Sequence, residues 1–322
     1  VIAYVVRRLL LSVPIVLVAS FVLFVAVRAT FDPLAKLRQS RDPGVIARET
    51  ERLGLDRGVP EQYALWLKGI VTGNWGVSAR TGEDVRTVIL SALGPTLQLI
   101  AWGILFAVVI AGAISVYSAT RQYSAGDHVL TTLSYVGIAL PAFWFGLVLI
   151  QLLAVLPRQW FGLDQPPLYF VGLHSPGETG FNADYLRHLV LPVLTLTITL
   201  VASWSRFGRA SMLDALSSDY VRTARAKGVP RRQVILRHAA RNSLAPFVTV
   251  VALDGALLFG GLIVTEQIYS VPGMGRLFLD SLLTGDVFVL LPWMLVVAIA
   301  VVLCNLVADV GYALLDPRVR LR

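Results

Sequence analysis

Apolar residues gather into six long runs, at about residues 9–27, 95–119, 129–156, 189–205, 244–265 and 287–308, separated by polar stretches of unequal character. A helix of roughly 20 apolar residues crosses a bilayer. The pattern therefore predicts an all-α membrane protein with six spans. Arg7 and Arg8 precede the first run. A cleaved signal peptide competes for that run, since Val27-Arg28-Ala29 offers a weak cleavage site. A signal's apolar region is only about 7–15 residues long, so the run reads as an uncleaved helix. The third run contains Pro141, which membrane neighbours can tolerate by re-satisfying the freed carbonyl.

The stretch between the first two runs, 31–94, mixes acids, bases and Gly/Pro turns. Within it, residues 44–68 carry apolar positions at helical spacing: Val45, Ile46 and Leu53, then Tyr63, Trp66 and Leu67. This predicts a small folded insert. The chain divides accordingly into 1–30 (tail and first span), 31–94 (insert) and 95–322 (five further spans). Orientation follows from Lys and Arg in the short loops and tails. Fifteen lie on the side of the N-terminus, nine of them in 206–241 and three at Arg318, Arg320 and Arg322. The opposite side has Arg158, Arg187 and Arg276. Positive charge stays cytoplasmic, which puts both termini and 206–241 in the cytoplasm and the insert outside.

Composition narrows the function classes. Of 322 residues, 56% are apolar and 15% charged, against about 25% charged in soluble domains. That excludes disorder, a disulfide scaffold and an ordinary soluble enzyme. The net charge of +8 is accounted for by topology, so no nucleic-acid partner is expected. Cys304 is the one cysteine, and His128, His174, His188 and His238 are scattered without an H-E-x-x-H pair, so no metal site is expected. No G-x-x-x-x-G-K-[ST] phosphate loop occurs, so this chain should bind no ATP and no other cofactor. G-x-S-x-G is absent too. Asp254 lies inside the fifth run, where a carboxylate is costly and normally faces a bundle interior or water. Two roles stand for it: lining a translocation path, or a structural bond to a neighbouring helix. Gly255, Gly260 and Gly261 read as helix-packing positions. Arg28 and Glu266, near the outer ends of their spans, read as side chains reaching to water.

The 206–241 segment is the richest in information. Ser217, Ser218 and Asp219 are candidate N-caps. Tyr220, Val221, Arg222, Thr223, Ala224, Arg225, Ala226 and Lys227 form a helix-favouring run, and Gly228 followed by Pro230 stops it. A second helix is predicted from about Arg231 into the fifth span. A short helix–turn–helix between two spans has three readings: a lipid-facing basic hairpin, a solvated connector, or a docking knob for a cytoplasmic partner. The small residues Ala224, Ala226 and Gly228 favour docking, because they let a backbone sit closely in a groove.

The stretch S-M-L-D-A-L-S-S-D-Y-V-R-T-A-R-A-K-G-V-P-R-R-Q-V-I-L-R-H-A-A-R-N-S-L-A-P (211–246) resembles the cytoplasmic signature loop of bacterial ABC-importer permeases of the oligopeptide/dipeptide/nickel class. So do Y-V-V-R-R-L-L-L-S-V-P at the start, L-G-L-D-R and G-V-P-E-Q-Y-A-L-W-L in the insert, A-L-P-A-F-W-F-G in the third run, Y-L-R-H-L-V-L-P, Y-S-V-P-G-M-G-R-L and the C-terminal N-L-V-A-D-V-G-Y-A-L-L-D-P-R. These cover nearly the whole chain in order. The resemblance implies a six-span permease fold with a coupling helix at 219–228, between spans 4 and 5, that seats in an ATPase groove. It implies a chain of the B-type in a heterodimeric pair, in a bacterial inner membrane. The implied partners are a second homologous permease, two cytoplasmic ATPase subunits or domains that use ATP and Mg, an extracytoplasmic substrate-binding protein, and membrane lipid. Where the general importer signature has E-A-A, this chain has Arg222, Thr223 and Ala224, with Gly228 in the expected place. The peptide class commonly shows that variant, which removes the glutamate as an ATPase contact. Peptides are the implied cargo. A nickel or small-solute importer shares the motifs, and a stand-alone secondary transporter is the alternative from another class, against which stands the lack of an inverted repeat. Gly228→Asp, or a bulky residue at Ala224, is expected to uncouple ATP hydrolysis from uptake and leave insertion intact, as measured by transport in the assembled complex.

Overall fold

A computed structural model describes residues 2–32, 34, 43–52 and 54–315. Among the described residues every regular element is helical, apart from one isolated bridge between Val77 and Asp84. In chain order the helices are α1 (Ile2–Thr30), α2 (Pro43–Arg52), α3 (Val59–Val71), α4 (Val85–Thr120), α5 (Ala125–Ala139), and α6 (Ala142–Trp160, with a π-wound turn at Gln151–Val155). Then come α7 (Ala183–Ser217), α8 (Asp219–Ala226), α9 (Arg241–Gly261, entered through Arg231–Gln233 and a π-wound stretch Val234–Ala240), α10 (Ile263–Ile268), α11 (Met274–Thr284) and α12 (Val287–Leu315). Among the described residues five helices are long and apolar enough to cross a membrane, and a sixth is counted if the pair Arg231–Leu244 and Pro246–Phe259, bent by 42°, is one span.

Helix ends depart from the apolar runs for local reasons. Helix α4 begins at Val85, ten residues before Pro95, because the Asp84 carboxylate accepts the Thr87 N–H at 3.0 Å and caps it. Helix α7 begins at Ala183 under an Asn182 cap that accepts the Tyr185 N–H at 2.8 Å, and it runs on to Ser217. Hydropathy marks the apolar part of a helix; capping chemistry marks its end. The third run, expected as one helix, is two. Leu140 and Pro141 are extended (ψ 136° and 143°) and separate α5 from α6. Proline lacks the N–H and pushes its predecessor out of the helical region.

Helix α7 lies at the centre, packed along α4, α5, α6 and α9. Its Trp204 and Leu191 are fully buried with Leu99 of α4 and Tyr269 beyond α10. Helix α1 lies at the edge against α12, where Arg8 pairs with Asp309 at 2.6 Å. The insert's aromatic stripe packs on α1 and does not form a core of its own. Tyr63 of α3 meets the rings of Phe21 and Phe24 edge-on at 5.2 and 5.6 Å, and its hydroxyl bonds Ser20 at 2.8 Å. Arg28, expected to reach to water, instead donates from Nε to Gln62 of α3 at 3.2 Å. The insert is also tied to the other end of the chain, since the buried Asp286 carboxylate accepts the Ser78 hydroxyl at 2.6 Å. Leu53, Arg318, Arg320, Arg322 and the last residues of the C-terminal motif lie outside the described residues.

Glu266 corrects a second expectation. It is fully buried rather than exposed to water. Its carboxylate accepts the Thr96 hydroxyl of α4 at 2.6 Å and the Arg276 N–H at 2.9 Å, and Thr96 in turn accepts the Met274 N–H at 2.8 Å. The free amides at the start of α11 thus find a carboxylate and a hydroxyl, the acceptors that a helix N-terminus favours. Burial pushes the Glu266 carboxyl above the usual range, and the hydrogen bonds from Thr96, Arg276 and Gly275 oppose that rise. The Y-S-V-P-G-M-G-R-L motif is therefore structural. A Cβ at Gly273 would collide with the Glu266 carboxyl group. Gly273→Ala is expected to destabilise the protein by about 1–3 kcal/mol, the usual cost of forcing atoms into a filled core. A melting temperature in detergent equal to wild type would show that the cap does not hold this end of the bundle together.

Candidate functional site

The segment after α7 folds as a compact knob. Asp219–Ala226 is helical and amphipathic, with Val221 and Ala224 on its inner face. The predicted caps act differently from expectation. Ser218 takes the N-cap position, but its hydroxyl bonds back to the Ala215 carbonyl at 2.5 Å, and the Ser217 hydroxyl to that of Asp214 at 2.9 Å. No side chain caps α8, and Asp219 sits in its first turn, where a negative charge suits the helix dipole. The C-terminus follows the Gly228 expectation closely. Gly228 has φ +75°, its N–H reaches the Arg225 carbonyl at 3.0 Å, and the Val229 N–H reaches that of Ala224 at 3.2 Å. That paired pattern closes a helix on a left-handed residue, which glycine adopts without a Cβ penalty.

The two faces of α8 have different duties. Val221 (0% exposed) and Ala224 (8%) enter a small core with Met212 and Ala215 of α7, Ala119 of α4, and Val234 and Ala239 ahead of α9. Ala224 is thus small for the chain's own packing. A bulky residue there would disturb the knob before it met any partner. The exposed face carries Tyr220, Arg222, Thr223, Arg225, Ala226 and Lys227, with Gly228 at its edge. Arg222 pairs with Asp219 at 3.0 Å, but both side chains are in water, and such pairs contribute little. A Cβ at Gly228 would point into open space, so backbone conformation alone requires glycine within this chain.

A tie invisible in the local sequence runs beside the knob. Asp127, in the first turn of α5, is 2% exposed. Arg209 of α7 grips it with two bonds, Nε to Oδ1 at 2.9 Å and Nη2 to Oδ2 at 2.8 Å, and the Tyr123 N–H adds a third at 2.9 Å. The remaining candidate, Asp254 on α9, accepts the Trp204 indole N–H of α7 at 2.7 Å. One of its oxygens therefore bonds across two spans. Gly255 is buried against Ile104, while Gly260 and Gly261 lie outside the side chains described. His174 and His188 converge on Asp184, at 3.9 and 3.5 Å. Asp184 also takes the Ser175 N–H and hydroxyl at 2.8 and 2.6 Å, pinning the preceding loop to α7. Among the described residues no group of three such side chains is arranged to hold a metal ion.

Residues 103–321 match the family model for the binding-protein-dependent transport system inner membrane component, and residues 1–98 match the model for the N-terminal part of such membrane components. The chain belongs to this permease family. It is a multi-pass inner-membrane component of ABC transport systems. Over 98% of its length it is 37% identical to the oligopeptide transport system permease protein AppB of Bacillus subtilis, covering 99% of that protein. It is 35% identical to the dipeptide transport system permease protein DppB of Alkalihalophilus pseudofirmus, over 99% of each chain. It is 36% identical to the oligopeptide transport system permease protein OppB of Mycobacterium bovis, over 98% of each. Among solved structures, a crystal structure of an amino acid ABC transporter with histidines superposes with a TM-score of 0.51 at 13% identity, covering 70% of this permease and 94% of that chain. That likeness concerns the fold alone.

The Asp127–Arg209 tie gives a pH signature. The Arg209 guanidinium pulls the Asp127 carboxyl down from the usual 3.8 to about 2, against the cost of burial and with help from the Tyr123 N–H. A carboxylate lowered by folding stabilises above its unfolded pKa and loses that stabilisation as pH falls through the folded value. A shift of this size corresponds to about 2 kcal/mol. Asp127→Asn is expected to cost about that much near neutrality, and its deficit should shrink between about pH 4 and 2. Melting curves of the pair across that range check this; a deficit independent of pH would mean that Asp127 is not the group titrating.

Proposed function

We propose that this permease is one half of a peptide-conducting pathway, driven by ATPase subunits that seat on α8. The cargo reading rests on the full-length likeness to permeases named for oligopeptides and dipeptides. The observation that carries the mechanism is the two-faced knob: one side of α8 is locked into the chain, and the other is bare and basic. Both termini and α8 lie in the cytoplasm, and the insert 31–94 lies outside, where a binding protein delivers the peptide. A second homologous permease completes the pathway. ATP and Mg are bound and hydrolysed by two separate ATPase subunits or domains.

A push on α8 has a defined route. Val221 and Ala224 carry it into the ends of α4 and α7 and into the lead-in to α9. The Asp127–Arg209 pair extends it to α5. The π-wound stretch and the 42° bend at Pro246 are where α9 can yield, since π winding shifts the hydrogen bonds out of the α register and proline removes a donor. Beyond the bend, the Trp204–Asp254 bond ties α9 to α7 again. Motion of α8 therefore moves the inner ends of the spans as a packet, and α9 flexes.

The exposed Ala226 is the clean probe of docking. Ala226→Trp and Gly228→Asp are expected to lower ATP-driven uptake of a labelled short peptide by at least about tenfold in proteoliposomes holding the full complex, on the scale of losing one well-packed contact. Insertion should stay at wild-type levels in both variants and the melting temperature at the wild-type value in Ala226→Trp, while Gly228→Asp carries about 1 kcal/mol of backbone strain from its left-handed position. Undiminished uptake by both variants would remove α8 as the docking element. Uptake of nickel chelates but not of peptides by the wild type would overturn the cargo reading and leave the docking reading standing.

A further inference from the structure

A cavity of about 460 Å³ lies between α4, α5 and α7, toward their ends nearest α8. Its lining is mixed: Ile114 and Ile138 lie at the end deeper in the helices, Ser134 and Arg206 lie midway, and Ser118, Arg209 and Leu213 lie toward the knob. Two arginines face it, and they are not equivalent. Arg209 is neutralised by Asp127 through two hydrogen bonds. Arg206 is exposed, lies with its guanidinium 4.2 Å from the centre of the Tyr135 ring, and has no carboxylate partner among the described residues. The aromatic face orients the guanidinium without neutralising it. The Ser118 hydroxyl, only 1% exposed, lies beside Asp127 and meets no acceptor in hydrogen-bond geometry. The outer side of α5 next to the cavity is apolar and exposed, with Leu133, Val136 and Ile138 at 59%, 45% and 48%.

We infer that this cavity seats the headgroup of an anionic phospholipid. An uncompensated guanidinium with hydroxyls beside it matches a phosphate group. The apolar end and the adjoining face of α5 match acyl chains, which a soluble anion lacks. Basic pockets between spans on the cytoplasmic side are where anionic headgroups collect. The placement in the cytoplasmic leaflet rests on the orientation proposed above; the binding chemistry does not. The lipid phosphate meets Arg206, one turn from the Arg209 that grips Asp127, so headgroup occupancy adds to the tie between α5 and α7.

The test uses the purified full chain in nanodiscs of phosphatidylcholine, with and without one-fifth phosphatidylglycerol in both leaflets, so that neither orientation nor ATPase partners enter. Native mass spectrometry is expected to find phosphatidylglycerol retained, with a raised melting temperature. Arg206→Gln is expected to lower retention about tenfold, the scale of one charge-assisted hydrogen bond. Arg206→Lys should keep part of it, and Arg158→Gln, in the last turn of α6, should leave it unchanged. Equal retention of phosphatidylglycerol by wild type and Arg206→Gln would overturn the assignment. So would an equal rise in melting temperature from inorganic phosphate in pure phosphatidylcholine, which would mark a soluble-anion site. If Arg206→Gln fails to fold, Tyr135→Leu, which removes the platform under the guanidinium, provides the same comparison.

Discussion

In hydrocarbon no water is available to satisfy a polar group, so each must find its partner inside the protein. That constraint organises this permease more than apolar packing does. Asp254 is met by the Trp204 indole, Glu266 by Thr96 and the amides of α11, and Ser134 by Ser205 at 3.0 Å. The Trp204–Asp254 and Ser134–Ser205 bonds both use α7, and these two and the Thr96–Glu266 bond join residues 50 to 170 positions apart. Apolar packing between spans is nearly indifferent to rotation, because lipid is as apolar as leucine. The polar pairs supply the preference for one arrangement. They explain why α7, with its serines, threonines and Trp204, sits at the centre, while α1, whose middle carries few polar side chains, sits at the edge.

The ends of the spans nearest α8 obey a related rule where water begins. There the chain can afford charge, and it uses a two-pronged Arg–Asp grip and a small apolar core to fasten α8 to the bundle. The core is made of short side chains, such as Ala119, Ala215, Ala224 and Ala239, so helix ends approach closely and little slack is left. A stiff packet joined to a bent, π-wound α9 is a lever with one compliant arm. At the opposite ends the Glu266 cap and the Ser78–Asp286 bond fasten α11 and the insert in a similar way, so the two ends of the bundle are each closed by buried carboxylates.

Much of this was legible along the chain. Apolar runs located most of the spans because bilayer thickness sets their length, but in the third run the break at Pro141 leaves only α6 long enough to cross. The 219–228 knob was legible because its start, its helix formers and its glycine stop are all local, and Gly228 adopts the left-handed conformation its position suggested. The motifs in series identified the family, and similarity along the full length bore that out. Other features were misread for want of a partner. Glu266 and Arg28 looked like surface charges at span ends, since nothing near them in sequence shows Thr96 or Gln62. Ala224 looked like a docking contact, and it is a core residue, because a helix of two turns has two faces and sequence alone does not say which one the bundle covers.

The sequence by itself determined the helical class, the number of apolar runs, the knob and the family, since these depend on hydrophobic length, helix-stop chemistry and the order of motifs. Only the tertiary structure decided that Pro141 splits the third run, that Asp127 is held by Arg209, that Asp254 bonds Trp204, and that Arg206 faces a cavity with no counter-charge. The reason is physical. Hydrogen bonds and ion pairs act over about 3 Å in space, and the residues they join here lie 50 to 82 positions apart along the chain.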